Sequence, residues 1–572
     1  MMKTWIKSLI ISGIMLLVCF GLSACKENED IEHYVFLNSG IKLEYIDFAG
    51  YGGGYSVAAY NGNMPDVEIP KEYNGIPIVH ISSFAFSDRE IMFVTVSENI
   101  REIDSDAFIG SSIQSIILPK SLKRIGRRCF KDCNSLFIVY YRGDVSDWIN
   151  ISFADEDSNP MFFAESTYLT NSQNKFEEVT EITLPENLTV LNDYALAGFN
   201  KVTNINFGNT LEKIGKYAFY NCSSLQSLIL PNSLKIIENY AFSGCSGITR
   251  LELPSKLEMI GYGFSDCSNL ENIYYHGNIE KWCNINLKST PIPQAMRFYI
   301  KNESQEWVEI TEVTIPETVT EIKENTFYGF TSLTKIYLHD AVTRLGMNAF
   351  RNCGIFSITI PKSLTNFGPN AFEDCNNLKK VYYDGTIGDW CNNEFYYSPS
   401  TPMNEAYEFY IKNGNGYDKI ATIDIPNNIT EIKDNTFYGF AQVTEFNISN
   451  NIRTIGRESF AYCSGLTYLN IPEGVKIIRE FAFSGCSNME YIIIPNTIEE
   501  IEEYVFRDNI NVYYKGTAEN LSNINIHQNN EELNAASIYY YIENENDVPA
   551  DGGNYWHYDT DGKTPIVWGI TE

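Results

Sequence analysis

The chain has 572 residues, 44% hydrophobic and 20% charged, the balance of a folded protein and not of a disordered one. Acidic residues outnumber basic ones 73 to 42, giving a net charge of −31, so a polyanion such as nucleic acid is repelled. Tyr (38) and Phe (34) are abundant, and the repeats below use most of them.

The chain opens MMKTWIKSLIISGIMLLVCFGLSAC, with Lys3 and Lys7 before an apolar run from Leu9 to Leu22 that is short for a membrane span. Leu22-Ser23-Ala24-Cys25 resembles a bacterial lipobox. That resemblance implies removal of residues 1–24 and acylation of the Cys25 thiol; an ordinary signal peptide with a chance Cys is the competing reading. Residues 25–40 then read as a lipidated acidic tether. The expected location is the extracellular face of the cell envelope, with membrane contact only through the lipid.

From about residue 41 a small residue followed by Phe recurs every 22 or 23 residues. It is seen at Phe86, Phe108, Phe219, Phe242, Phe264, Phe350, Phe372 and Phe483, with variants at Phe130, Leu196, Phe327, Phe437, Phe460 and Phe506. The best-formed unit is KIGKYAFYNCSSLQSLILPNSL. Its L-x-x-I-x-L-P alternates apolar and polar residues, as a half-buried strand does, and Pro closes it because proline cannot donate to a ladder. The stretch I-G-x-x-A-F reads as a tight turn or short helix that buries its Phe. One such unit cannot bury its apolar face alone, so the units stack.

These in-register copies resemble the BspA-like class of leucine-rich repeats of bacterial and protist surface proteins, over roughly residues 41–515. The resemblance implies a β-rich repeat solenoid with a parallel strand ladder. It also implies adhesion to host matrix proteins or to other cells.

Three longer intervals each hold a copy of one module: VYYRGDVSDWINI from residue 139, IYYHGNIEKWCNI from 273 and VYYDGTIGDWCNN from 381. A fourth, VYYKGTAENLSNI, starts at 512. Each reads as strand, Gly turn, short helix carrying Trp, then strand, and the intervals near three periods suggest a stack modified there and not interrupted. Residues 516–572 read as a C-terminal cap, with Trp556, Tyr558 and Trp568 available to cover the last coil.

Eight cysteines fall at a fixed place after the repeat Phe, among them Cys222, Cys245, Cys267, Cys375 and Cys486. They read as a buried column of thiols, or as a few disulfides between coils. No C-x-x-C or H-E-x-x-H occurs, and the six histidines are scattered and read as surface residues. Arg142-Gly143-Asp144 invites an adhesion-motif reading, but the sister modules read HGN, DGT and KGT there, so the Gly is assigned to a turn. Asp559-Thr560-Asp561-Gly562 lacks the later acids of a calcium loop and reads as a polar turn.

The candidate ligand contacts are the module aromatics Tyr141, Trp148, Tyr275, Trp282, Tyr383 and Trp390, repeated at one offset. The competing reading puts each Trp over its own module's core with the indole N–H on a backbone carbonyl. The sequence therefore points to a lipid-anchored binding protein without enzyme chemistry or cofactor, its partner an extracellular protein. A glycan, nutrient capture or a structural surface role remain as alternatives.

Overall fold

A computed structural model describes residues 33–569 apart from 49–51, 289–296, 397–399, 507–509, 531–532 and 534–535. The leader, Cys25 and the start of the tether lie outside the described residues. Among the described residues, no helix is long and apolar enough to cross a membrane. The chain divides into two compact units, residues 1–179 and 180–572, and each is a β-solenoid of parallel ladders.

Each coil contributes two strands. In the unit around Phe219 these are Lys213–Ile214 and Ser227–Ile229. Ile214 stands in register with Ile237, then Ile260 and Leu287. Leu228 stands in register with Leu251, Ile273 and Phe298. These residues are the inward half of each alternation, so the core is a stack of identical layers.

The segment holding the repeat Phe is a turn, not a helix, and it builds a third ladder. The Phe219 N–H donates to the Ala241 carbonyl at 2.7 Å, and the Phe242 N–H to Gly263 at 2.7 Å. To present these groups the residue before the small one adopts a left-handed backbone: Tyr217 has φ 55° and Tyr240 has φ 59°. That conformation is costly for a non-glycine residue. It is held by the turn ladder and, in this block, by rings stacked coil on coil: Tyr217 and Tyr240 lie 4.9 Å apart. The repeat phenylalanines stack beneath. Phe219–Phe242 and Phe242–Phe264 centroids lie 5.0 and 5.2 Å apart, Phe350–Phe372 5.5 Å, and Phe460–Phe483 5.8 Å.

The first unit is capped by the antiparallel strands Tyr34–Phe36, Ile41–Phe48 and Gly52–Tyr60, the last of which joins Ile76–Ile81 in parallel. This hairpin covers the edge that the first coil would otherwise expose. The long-strand ladder then runs from Asp66–Glu68 to Ser166–Thr170 and ends on the antiparallel strand Phe176–Glu178. In the second unit the hairpins Arg297–Lys301/Trp307–Glu309 and Glu408–Asn413/Gly416–Lys419 end two blocks in the same way. After each hairpin a new sheet starts, at Glu312–Thr314 and at Thr422–Asp424. The modules therefore interrupt the strand ladders, where the spacing suggested an unbroken stack. In each block the antiparallel strand takes the edge of the last coil strand on which the next parallel strand would have paired. Past Tyr514 the last ladder continues through Ser537–Tyr541 and Tyr555–Tyr558 to the antiparallel Pro565–Val567.

Candidate binding surfaces

The module begins with a strand whose tyrosines point to opposite faces. In Ile138–Tyr141, Asn272–Tyr275 and Lys380–Tyr383 the second Tyr is buried and the first is half-buried on the outer side. A one- or two-turn helix follows, capped by Asp144, Asn278 or Thr386, whose side chain accepts the N–H three residues on. Arg142 pairs with Glu98 at 2.9 Å while Asp144 caps the helix, so both flanks of Arg142-Gly143-Asp144 have structural partners. A Cβ on Gly143 would lie 2.6 Å from the Tyr141 ring, and one on Gly277 2.4 Å from the Tyr275 ring. The glycine is required by this ring contact. Neither Gly143 nor Gly277 has the positive φ that a turn role implied.

Tyr141, Trp148, Tyr275, Trp282, Tyr383 and Trp390 are all fully buried. This corrects their assignment as ligand contacts: strand alternation turns the second Tyr inward, and each Trp ring packs edge-on against it at 5.1–5.3 Å. Burial pushes the three tyrosine hydroxyls far above their ordinary pKa.

The Trp instead bridges the interruption. Trp282 Nε1 donates to the Thr326 carbonyl at 2.7 Å, and Trp390 Nε1 to Thr436 at 2.8 Å. Lys323 and Lys433 reach back to the carbonyls of Asn284 and Asn392, at the C-terminal ends of the two Trp helices. Phe298 stacks on Phe330 of the next coil at 4.7 Å, and Phe409 packs against Phe440 at 4.9 Å with its ring tilted by 60°. The signal for this contact was in the sequence: both coils read Asn-Thr-Phe-Tyr-Gly-Phe, with Thr where most other coils have Ala.

The cysteines form the expected buried column, all free among the described residues. Seven of the eight repeat thiols share one kind of partner, the carbonyl at the Phe position one coil back, and the eighth, Cys353, donates to Phe330 instead. Cys222 donates to Leu196 at 3.2 Å, Cys245 to Phe219 at 3.1 Å, Cys267 to Phe242 at 3.1 Å, Cys375 to Phe350 at 2.9 Å and Cys486 to Phe460 at 3.1 Å.

The outer face of the first unit differs from that of the middle block of the second. Phe93, Ser115 and Ile138 stand in one column on the first. The same column in the middle block of the second unit reads Glu312, Lys335, Ser357, Lys380 and Glu408. Phe93, Phe137, Ile138 and Tyr140 line a hollow of about 370 Å³, and Phe93 and Phe137 are each 49% exposed. Isolated exposed apolar residues are ordinary, but a clustered set on one hollow marks a contact surface.

One constellation escaped the sequence reading. Ser56 Oγ lies 2.8 Å from His80 Nδ1, and His80 Nε2 lies 3.3 Å from Asp104 Oδ2, across three successive coils. The residue types are those of a hydrolase triad. Ser56 is fully buried and also bonds Ser82 at 2.7 Å, so no substrate reaches its hydroxyl. His80 is buried too, where a surface residue was expected; the coil period puts it beneath Ser56. Asp559 and Asp561 bond the backbone of their own hairpin turn, as a polar turn does. Among the described residues, no group of three or more His, Cys, Asp or Glu is placed to hold a metal ion.

The profile of the BspA type leucine-rich repeat region matches residues 55–172, 167–290, 299–406 and 414–541. The chain belongs to this family. Leucine-rich repeat proteins are typically non-enzymatic binding scaffolds. Among solved structures, the BspA-type chain is similar to a leucine-rich repeat protein from Bacteroides ovatus at 20% identity, covering 90% of this chain and 100% of that one, with a TM-score of 0.31. A leucine-rich cell-surface protein from Faecalibacterium prausnitzii matches at 17% identity over 87% and 98% of the two chains, with a TM-score of 0.23. The pneumococcal vaccine antigen PcpA matches at 14% identity over 86% and 98%, with a TM-score of 0.16. No curated protein matches the sequence.

Proposed function

We propose that this chain is a lipid-anchored surface scaffold that binds another protein through the outer face of its first unit. The hollow around Phe93 and Phe137 carries this reading. Phe93 stands there in a column that is mostly charged in the middle block of the second unit, and Phe137 flanks that column beside Ile138. Interface energy concentrates in such aromatic anchors. The net charge of −31 favours a neutral or basic partner over an acidic one. The family resemblance points to matrix proteins or the surfaces of other cells as the source of that partner. Placement on the cell surface rests on the leader and Cys25.

The test is surface plasmon resonance of the purified chain against a panel of extracellular matrix proteins. Binding should weaken at least tenfold in a Phe93→Ser/Phe137→Ser double variant whose thermal unfolding is unchanged. A partner that binds both proteins alike would remove this face from the reading. Separately, Cys25→Ser should move the protein out of the membrane fraction, and retention there would sink the anchor.

A further inference from the structure

We propose a second site, for a neutral saccharide, on the short-strand side of the second unit, centred on Tyr396. The strands Glu321–Ile322, Arg344–Leu345, Asn366–Phe367 and Glu394–Phe395 form this ladder. Tyr396 follows the last strand and is 46% exposed. Its ring is a wall shared by two hollows of about 410 and 470 Å³. Glu394, Glu431, Asp434, Lys433 and Arg479 line the first.

Two features of the first hollow lack a structural explanation. Arg479 is half-buried and has no side-chain hydrogen bond or ion pair among the described residues, although the chain carries 73 acids. Asn393, also in the lining, is fully buried, with the Tyr383 hydroxyl beside its amide but no well-formed hydrogen bond at either end. The sister modules place Ile151, Ile285 and Ile524 at its position. An apolar residue therefore serves the fold there, and the polar one costs stability in this module alone.

The lining selects the ligand class. Sugar hydroxyls both donate and accept, so a saccharide pairs with carboxylates and with guanidinium or ammonium groups in one cavity. The positive edges of sugar C–H bonds suit the electron-rich face of an exposed aromatic ring. Three carboxylates face two cations, one of them, Lys433, already bonded to the Asn392 carbonyl, so an anionic ligand is repelled. A peptide held by apolar side chains would find one exposed aromatic ring, Tyr396, beside the buried Phe395, and no aliphatic residue in the lining.

Affinity electrophoresis of the full chain in gels containing soluble xylan, mixed-linkage β-glucan, galactomannan or dextran tests the site. At least one polysaccharide should retard the protein. Retardation should weaken at least tenfold in Tyr396→Ala and in Arg479→Met. Asn393→Ile should weaken it while raising the melting temperature. The Phe93→Ser/Phe137→Ser variant should behave as wild type, which separates this site from the protein-binding face. Absence of retardation by all four polymers, or retardation indifferent to Tyr396→Ala in a protein with unchanged melting, overturns the proposal.

Discussion

Trp282 Nε1 donates to the Thr326 carbonyl at the place in the turn ladder where a backbone N–H donates elsewhere. One coil on, the matching carbonyl, Ala349, accepts from the Phe327 N–H at 2.9 Å. Both strand ladders stop between these blocks, so the indole continues the one ladder that can cross. Trp390 and Thr436 repeat the arrangement, again followed by Phe437 donating to Ser459. The second and third modules are thus joints between blocks of the second unit, with their aromatic weight directed inward.

Trp282→Phe keeps a ring and removes the N–H, leaving the buried Thr326 carbonyl short of a donor. The expected loss is about 1–3 kcal/mol. Solenoid stability is close to a sum of coils and their interfaces, so the loss falls on the coupling between blocks. Urea unfolding should broaden or split into two transitions. An unchanged, single transition would show that the joint does not depend on this bond.

Phe242 stacks between Phe219 and Phe264 with interplanar angles of 7° and 2°. Phe242→Ala therefore empties a site shared by three coils, at about 3–5 kcal/mol. Thermal unfolding followed by circular dichroism measures this. A melting temperature equal to that of wild type would contradict the shared stack.

The repeat thiols should be inert in the folded protein. Burial pushes Cys133 up to about 11, and Cys353 and Cys486 up to about 12. At pH 8 almost no thiolate is present, and the thiolate is the nucleophile. A thiol-specific disulfide reagent should leave these cysteines unmodified until denaturant is added. Cys245→Ser should keep a donor for Phe219, whereas Cys245→Val should cost about 0.5–1.5 kcal/mol, since the Cys222 N–H still serves that carbonyl at 3.2 Å. Rapid labelling of the native protein would sink the reading of a closed column.

Period and alternation were enough to place the core. Phe219, Phe242, Cys245 and the closing prolines each recur at one offset, and a residue repeated at one offset occupies one place in a stack. The same logic misassigned Tyr141 and Trp148. Repetition shows that a residue has a common role, but not whether that role faces inward, and only the register of Ile138–Tyr141 with Ser115–Leu118 decides it. The hairpins that end each block were hidden because an antiparallel return and a further coil have similar strand patterns. Ser56, His80 and Asp104 were missed for another reason. They lie 24 residues apart, outside any local motif, and become neighbours only when coils stack.

That relay gives a pH dependence with a definite sign. The hydrogen bond from His80 holds the Asp104 carboxyl below its ordinary pKa, helped by the charges of His80 and Arg124 and opposed by partial burial. A depressed folded-state pKa contributes stability above the unfolded value of about 3.9 and loses it as pH falls through the folded value. Between pH 5 and pH 3 the wild-type melting temperature should therefore fall more steeply than that of Asp104→Asn, which has no carboxyl to protonate. The side chain is 34% exposed, so solvent screening keeps the difference modest. Parallel pH profiles for the two proteins would mean that the Asp104 carboxylate adds nothing to the first coils.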